Sequence, residues 1–414
     1  MISKASIRYF FFVISLVMYY YIFLFFPIVK EITGAFDIPE LYIMLKILSI
    51  IIFFITVIIQ VYPKIEKLSK PLLLYLLYTL FNCLFLVVVM KYSLKYIILS
   101  FYDTFSIFFM AFIFLLIDKK NIPKIKEKDF LYLLSSLFLI VLVYGYLQKL
   151  FNSSLLFYEH DFYYISSKIH EIRVWSILPS RIEYGKAMAL MSILAMFYVV
   201  YSKKNYKIQF FLLFILSLTG VYISTERTSL ILVTVSIINL FLLKIDLKFS
   251  RIVLGNVILS IIFPFVLMSL TFQYTLSNSL LRTNSLIDRI YWWGIIIKNY
   301  ILNGDIVNIL FGYGIIQTTD SKSYSSVITH GKLWIDNLFF TIFLYQGIIG
   351  LILFLYMYIS FIYKIYSLNT FYSKYFSITL LSWLIASVFA RSIGDIALLT
   401  FLPSIIYLKY KERF

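Results

Sequence analysis

Twelve times along this chain, about fifteen to twenty-four consecutive residues pass with hardly a charge among them. The runs fall at roughly 8–29, 41–61, 71–90, 96–117, 130–150, 185–201, 207–224, 228–243, 252–271, 338–361, 375–390 and 394–408. A helix rises about 1.5 Å per residue, so some twenty apolar residues match a hydrocarbon core about 30 Å thick. The runs at 228–243 and 394–408 are short for that thickness. Membrane barrels need short alternating strands, which unbroken runs of this length do not supply. The balance of residues agrees, with 62% hydrophobic and 14% charged in 414 residues, against about half and a quarter in soluble domains. The expectation is an all-α integral membrane protein of about twelve transmembrane helices, forming one polytopic domain over 1–414. The first run follows Lys4 and Arg8 and is too long for a signal-peptide core, so it reads as a retained first helix.

The net charge of +17 raises nucleic acid as a partner, but its placement argues for a membrane. Segments expected on the cytoplasmic side carry 21 Lys/Arg against six acids, whereas those expected outside carry 13 of each. That is the positive-inside pattern, with both termini in the cytoplasm. Few ionisable residues fall in or beside the spans: Lys46, Asp103, Lys149 and Lys186. The single cysteine, Cys83, sits inside an apolar run and has no internal disulfide partner.

Two connections are long, and both are expected outside: 151–184 and 272–337. Long loops in a compact fold are functional or disordered as a rule. The second contains Leu286-Ile-Asp-Arg-Ile-Tyr-Trp-Trp-Gly-Ile-Ile-Ile-Lys-Asn-Tyr300. Its helical spacing suits a helix lying on the outer interface or capping the bundle, with Trp292 and Trp293 read as an interfacial anchor.

Motifs of soluble enzymes are missing. The chain has no phosphate-binding Gly-rich loop with Lys, no HExxH and no GxSxG. Three histidines, His160, His170 and His330, make a His-based metal site a poor expectation, and no cofactor is implied. What remains is a set of charged residues on the outer side. Glu226 and Arg227 occupy the tight turn Ser224-Thr-Glu-Arg-Thr-Ser229, where a charge at the bilayer edge costs energy unless paired or used. One reading is a simple turn anchor, with Arg227 pairing Glu226. Asp288-Arg289 opens the proposed interfacial helix, and His330 through Asp336-Asn337 precedes the span at Leu338. Arg173, Arg181 and Glu183 lie against the span that follows the first long loop.

The order of these elements carries a resemblance. The run Leu218-Thr-Gly-Val-Tyr-Ile-Ser-Thr-Glu-Arg-Thr-Ser-Leu230 resembles the Thr/Ser-x-x-Arg turn of bacterial O-antigen polymerases and ligases. Arg289-Ile-Tyr-Trp-Trp and Phe311-Gly-Tyr-Gly314 are similar to that family's Arg-x-x-x-Trp element and following Gly-x-Gly. His330 and Asp336-Asn-Leu-Phe-Phe-Thr-Ile-Phe-Leu-Tyr-Gln-Gly-Ile-Ile-Gly-Leu351 resemble its His-Asn-x-x-Leu and Gly-Ile-x-Gly signature. The motif-bearing match covers about 218–352. Asp336 stands where the ligase branch has His directly before Asn, a departure that tilts the resemblance toward the polymerase branch.

The resemblance implies a GT-C-like membrane glycosyltransferase that moves glycan from a polyprenyl diphosphate to an acceptor sugar on the outer face of the bacterial cytoplasmic membrane. The expected donor is an undecaprenyl-diphosphate-linked oligosaccharide, with membrane lipid around it and a chain-length regulator as a further partner left open. Nucleic acid is not expected as a partner. Breaking the glycosidic C–O bond builds negative charge on the diphosphate, and guanidinium groups suit that charge as bidentate donors. Arg227 and Arg289 are expected in this role, with Arg173 and Arg181 as further diphosphate ligands, in place of a metal. A base must take the acceptor proton. His330 is the first choice because imidazole titrates near neutral pH, with Asp336 and Glu226 as rivals. A ligase of the same fold and a transporter of lipid-linked sugar are the alternatives.

Overall fold

The computed structural model describes residues 70–89, 127–151, 181–201, 207–274, 289–290, 293–313, 337–367 and 371–389, with isolated positions 91, 174, 176 and 369. Among the described residues every regular element is helical. In chain order they are α1 (Lys70–Val88), α2 (Glu127–Phe151), α3 (Arg181–Tyr201), α4 (Lys207–Ile223), α5 (Arg227–Lys244), α6 (Phe249–Tyr274), a π-helical turn (Ile297–Leu302), α7 (Ile306–Phe311), α8 (Leu338–Tyr366), α9 (Phe371–Ala386) and a closing 3₁₀ turn (Ser387–Phe389).

Five stretches are long and apolar enough to cross a membrane: Lys70–Val88, Tyr184–Tyr201, Arg227–Lys244, Phe249–Leu267 and Leu338–Tyr366. Three shorter apolar helices, Phe138–Phe151, Lys207–Ile223 and Ser373–Phe389, accompany them. The chain is therefore a membrane-embedded α-helical protein. Eight of the twelve runs read from the sequence coincide with these helices. Those at 8–29, 41–61, 96–117 and 394–408 lie outside the described residues. Boundaries move by a few residues: α3 begins at Arg181, so the last four positions of the expected 151–184 loop are already helix, and α6 runs on to Tyr274, into the expected 272–337 loop.

The centre of the fold is α3, with 72% of its span buried. It packs on α4 and α5, α9 closes over α5 and α3, and α1 lies on α8. Large side chains fill the interior, among them Trp383, Tyr375, Phe197, Tyr358 and Phe354. Outward faces are just as apolar; Leu73, Leu77, Leu80 and Leu84 form an exposed stripe on α1, and Leu254, Ile258, Ile261 and Phe265 another on α6. Leucine gains little by turning from lipid to protein, so packing and polar contacts decide which face points inward.

Polar residues mark that inward face. Asn239 on α5 and Asn256 on α6 exchange side-chain hydrogen bonds of 3.0 and 2.9 Å, and Asn239 also donates to Ser382 Oγ on α9 at 2.9 Å. Ser192 donates to Ser217 at 2.9 Å between α3 and α4. Tyr375 and Tyr358 hydroxyls donate to the Leu190 and Leu380 carbonyls at 3.0 and 2.8 Å. With no water in hydrocarbon to compete, such bonds register one helix against the next.

α8 departs from the uninterrupted span expected over 338–361. Gly347 takes φ 69 and ψ −172 inside it, so nine residues of helix stop and a second helix starts at once. Gly312, the cap of α7, has φ 97 and comes against the Tyr345 carbonyl, while Gly347 comes against the Leu310 carbonyl. The two glycines let two backbones meet where side chains would hold them apart. Tyr313 N then donates to Leu344 O at 2.8 Å, using a carbonyl the broken helix released.

Candidate functional site

The Ser224–Ser229 turn is built by its own side chains. Ser224 Oγ donates to Val221 O at 2.6 Å and accepts from Glu226 N at 3.1 Å. Thr225 adopts φ 56, which reverses the chain after α4. Glu226 is the N-cap of α5, its Oε1 accepting from Thr228 N at 3.2 Å. That carboxylate, a rival for the base, is engaged in satisfying the first turn of a helix. Arg227 is the first residue of α5 and is exposed. A cation is disfavoured at a helix N-terminus, whose free N–H groups already carry partial positive charge. Arg227 therefore stands at the positive end of α5, next to the Glu226 carboxylate that caps it.

The opening of α3 lies behind this turn. A side chain at Gly185 would strike Ser224 Oγ, the Glu226 Cβ and Ser229 Oγ, so this glycine is what lets the two elements touch. Lys186 beside it is buried, with its ammonium 5.3 Å from the centre of the Trp383 ring. The sequence placed Lys186 merely in or beside a span; the fold makes it an interior cation held over an aromatic face.

Arg289 is half-buried, with helical backbone at 289–290; helix is described again at 293–296 and runs into the π-helical turn. Trp293, four residues on, is 0% exposed. The interfacial-anchor reading of Trp293 is therefore corrected: its ring is packed inside protein. The ring sits 6.2 Å from Phe389 and 6.2 Å from Phe340. Phe389 also stacks edge-on against Phe263 at 5.7 Å, and its carbonyl accepts from Thr228 Oγ1 at 3.4 Å.

Phe389 thus joins four parts of the chain: the first turn of α5 beside Arg227, the segment carrying Arg289, α6, and through Trp293 and Phe340 the first turn of α8. Asn337 begins α8, its Oδ1 accepting from Phe339 N and Phe340 N at 2.9 and 3.2 Å. The starts of α5 and α8 and the Arg289 segment surround one aromatic cluster. Three fully buried groups on these elements lack a hydrogen-bond partner in the protein: Trp293 Nε1, Asn337 Nδ2 and Ser229 Oγ. All can donate, and each buried donor left unmatched costs about 1–3 kcal/mol. Donors that converge beside helix N-termini suit an anion.

Sequence reasoning named Asn337 within a motif but assigned it no role, and it passed over Ser229. The signal was available in Asn337, an N-cap residue type before a long apolar run. Arg181 opens α3, whereas Arg173, His330, Asp336, Asp288 and Trp292 lie outside the described residues. Among the described residues no group of three His, Cys, Asp or Glu is placed to hold a metal. Neither a family model, nor a curated protein, nor a solved structure matches this chain.

Proposed function

We propose that the chain is a twelve-helix membrane glycosyltransferase of the GT-C-like kind, a polysaccharide polymerase. It transfers a glycan from undecaprenyl diphosphate to an acceptor lipid-linked repeat unit at the outer face of the bacterial cytoplasmic membrane. The observation that carries this reading is the gathering of Arg227, the Arg289 segment and two helix N-termini around Phe389, with buried donors left over. An arrangement of positive ends and unmatched N–H groups at a low-dielectric rim stabilises charge growing on a departing diphosphate, without reorganising as it forms.

In that step Arg227 and Arg289 hold the diphosphate as the glycosidic C–O bond opens, with Arg173 and Arg181 as further ligands. The acceptor hydroxyl gives its proton to His330, or to Asp336, as the new C–O bond forms, and undecaprenyl diphosphate leaves. Glu226 is a weaker base because its carboxylate caps α5.

The test is transfer by purified protein from a lipid-linked repeat unit, comparing the parent with Arg227→Ala and Arg289→Ala. The expected result is loss of polymer with single repeat units left on the carrier. In the native host, long undelivered polymer on the carrier in either variant would mark a ligase instead, and unimpaired transfer in both variants would end the reading. A transporter of lipid-linked sugar is the second reading, favoured by the interruption of α8 at Gly347, since broken helices line translocation sites. Bond formation without any ion gradient rejects it.

A further inference from the structure

We infer that the break in α8 is a binding site for one monovalent alkali cation, sodium or potassium, held inside the membrane by neutral oxygen ligands. The inference is separate from the glycosyltransferase reading and stands on different residues.

The site is made where α1, α7 and α8 meet. On α1, Tyr75, Tyr78, Thr79 and Asn82 recur at three- and four-residue spacing and so share one face. Tyr78 donates to the Gln346 carbonyl, and Asn82 Nδ2 donates to the Phe311 carbonyl. Those two bonds tie α1 to the last carbonyls of the first α8 segment and of α7. Fixing Asn82 Nδ2 on a carbonyl turns its Oδ1 the other way, and that oxygen has no partner in the protein. The Gln346 side chain is 1% exposed, and its Oε1 finds no hydrogen bond.

Two unmatched amide oxygens in an apolar interior are costly. Here they stand by the break at Gly347, at the negative end of a nine-residue half-helix whose Leu344 and Gln346 carbonyls already accept from Tyr313 N and Tyr78. The side chains at the break, Tyr75, Tyr78, Thr79, Asn82, Cys83 and Gln346, are all neutral. Partial negative charge therefore converges without a countercharge from them, which favours a cation. The absence of carboxylate among them favours a singly charged ion over calcium or magnesium, whose sites draw on acidic ligands. Space is tight: a side chain at Gly350 would run into Gln346 and the Tyr78 ring. Such crowding excludes a sugar.

The depth is also right for an ion held by protein. Asn82 lies twelve residues beyond Lys70, roughly 18 Å along a helix of 1.5 Å rise, within the thickness of a hydrocarbon core of about 30 Å. Non-helical backbone at that depth survives where it is enclosed by protein or lines a polar site.

The experiment uses the full chain in nanodiscs in choline chloride, titrated with sodium or potassium chloride at constant ionic strength. Thermal unfolding and binding of radioactive sodium or rubidium are followed together. The expected result is a saturable rise in the unfolding midpoint with one of the two cations and one ion bound per chain. Asn82→Leu and Gln346→Leu should each weaken binding about tenfold or more, the scale of losing a ligand-shell group. Gln346→Glu, which keeps the shape and adds a charge, should tighten it. An unfolding midpoint identical in sodium, potassium and choline, as for a site holding only water, overturns the proposal, as does full-strength binding in both leucine variants. Should those variants fail to fold, tracer binding to the parent chain, competed by the unlabelled ion, decides the matter alone. Arg227→Ala should leave ion binding unchanged whether or not it abolishes glycan transfer.

Discussion

Replacing Gly347 by alanine separates the two halves of α8 from the fold they organise, and its cost follows from the backbone. At φ 69 and ψ −172 the residue lies in a region open essentially to glycine alone, where another residue costs about 1–3 kcal/mol. Space adds to this. The new Cβ would meet the Leu310 carbonyl and the Gly312 amide, which are backbone and cannot swing aside. Relief requires α7 to back away, breaking the bond from Tyr313 N to Leu344 O, worth about 0.5–1.5 kcal/mol net. The total is about 3 kcal/mol. Gly255 supplies the control, since it lies within α6 with nothing within 4 Å of an added Cβ. Gly255→Ala should raise stability by about 0.5–1 kcal/mol through helix propensity. Both variants are read by the midpoint of detergent-induced unfolding in bicelles. Equal stability of Gly347→Ala and the parent would show that the break in α8 is not held by glycine.

Four further outcomes are expected. Arg227→Ala should lower kcat for glycan transfer by about a hundredfold or more, on the scale of losing one preorganised charge-stabilising donor; Arg227→Lys should recover little, since an ammonium lacks the bidentate fork. The unfolding midpoint should hold because Arg227 is exposed, and a matching fall in stability would mean a structural role. Trp293→Phe keeps the packing of the ring against Phe389 and Phe340 but removes Nε1, so transfer should fall while stability changes by less than about 1.5 kcal/mol. Asn239→Leu strands Asn256 in the core and should cost about 1–3 kcal/mol, whereas Asn239→Leu with Asn256→Leu should return much of it; a double-mutant cycle showing simple addition would refute the coupling. Gly185→Ala should disturb transfer more than Gly255→Ala, because its methyl group presses on Ser224, Glu226 and Ser229.

The membrane class and most helix positions were legible because they depend on local composition: a run such as Leu338–Tyr366 is too long and too apolar to be anything else. Caps were partly legible for the same reason. Asn337 stands directly before the apolar run at Leu338 and proves to be the N-cap of α8, whereas Glu226, with Arg227 between it and its run, reads in the sequence as a base or a partner for Arg227 and proves to be the N-cap of α5. The inward face was not, since Leu77 on the lipid side and Leu72 in the core of α1 are the same residue type. In a membrane only scattered polar residues, such as Asn82, Asn239 and Ser382, hint at the interior, and the bonds they make span up to hundreds of positions.

By itself the sequence determined that this chain enters a bilayer as helices, because hydrophobicity and helix length are summed over neighbouring residues. It also marked Arg227 as a charge at the bilayer edge that is costly unless paired or used, and Arg289 as lying at the start of a helical segment. Tertiary structure alone decided that Trp293 is buried, that Thr228, Trp293 and Asn337 border one cluster through Phe389 and Phe340, and that Gly347 halts a helix its neighbours would continue. Those outcomes depend on what stands opposite in space. Gly347 bends as it does because Leu310 and Gly312 approach from another segment, and no pattern within α8 encodes that approach.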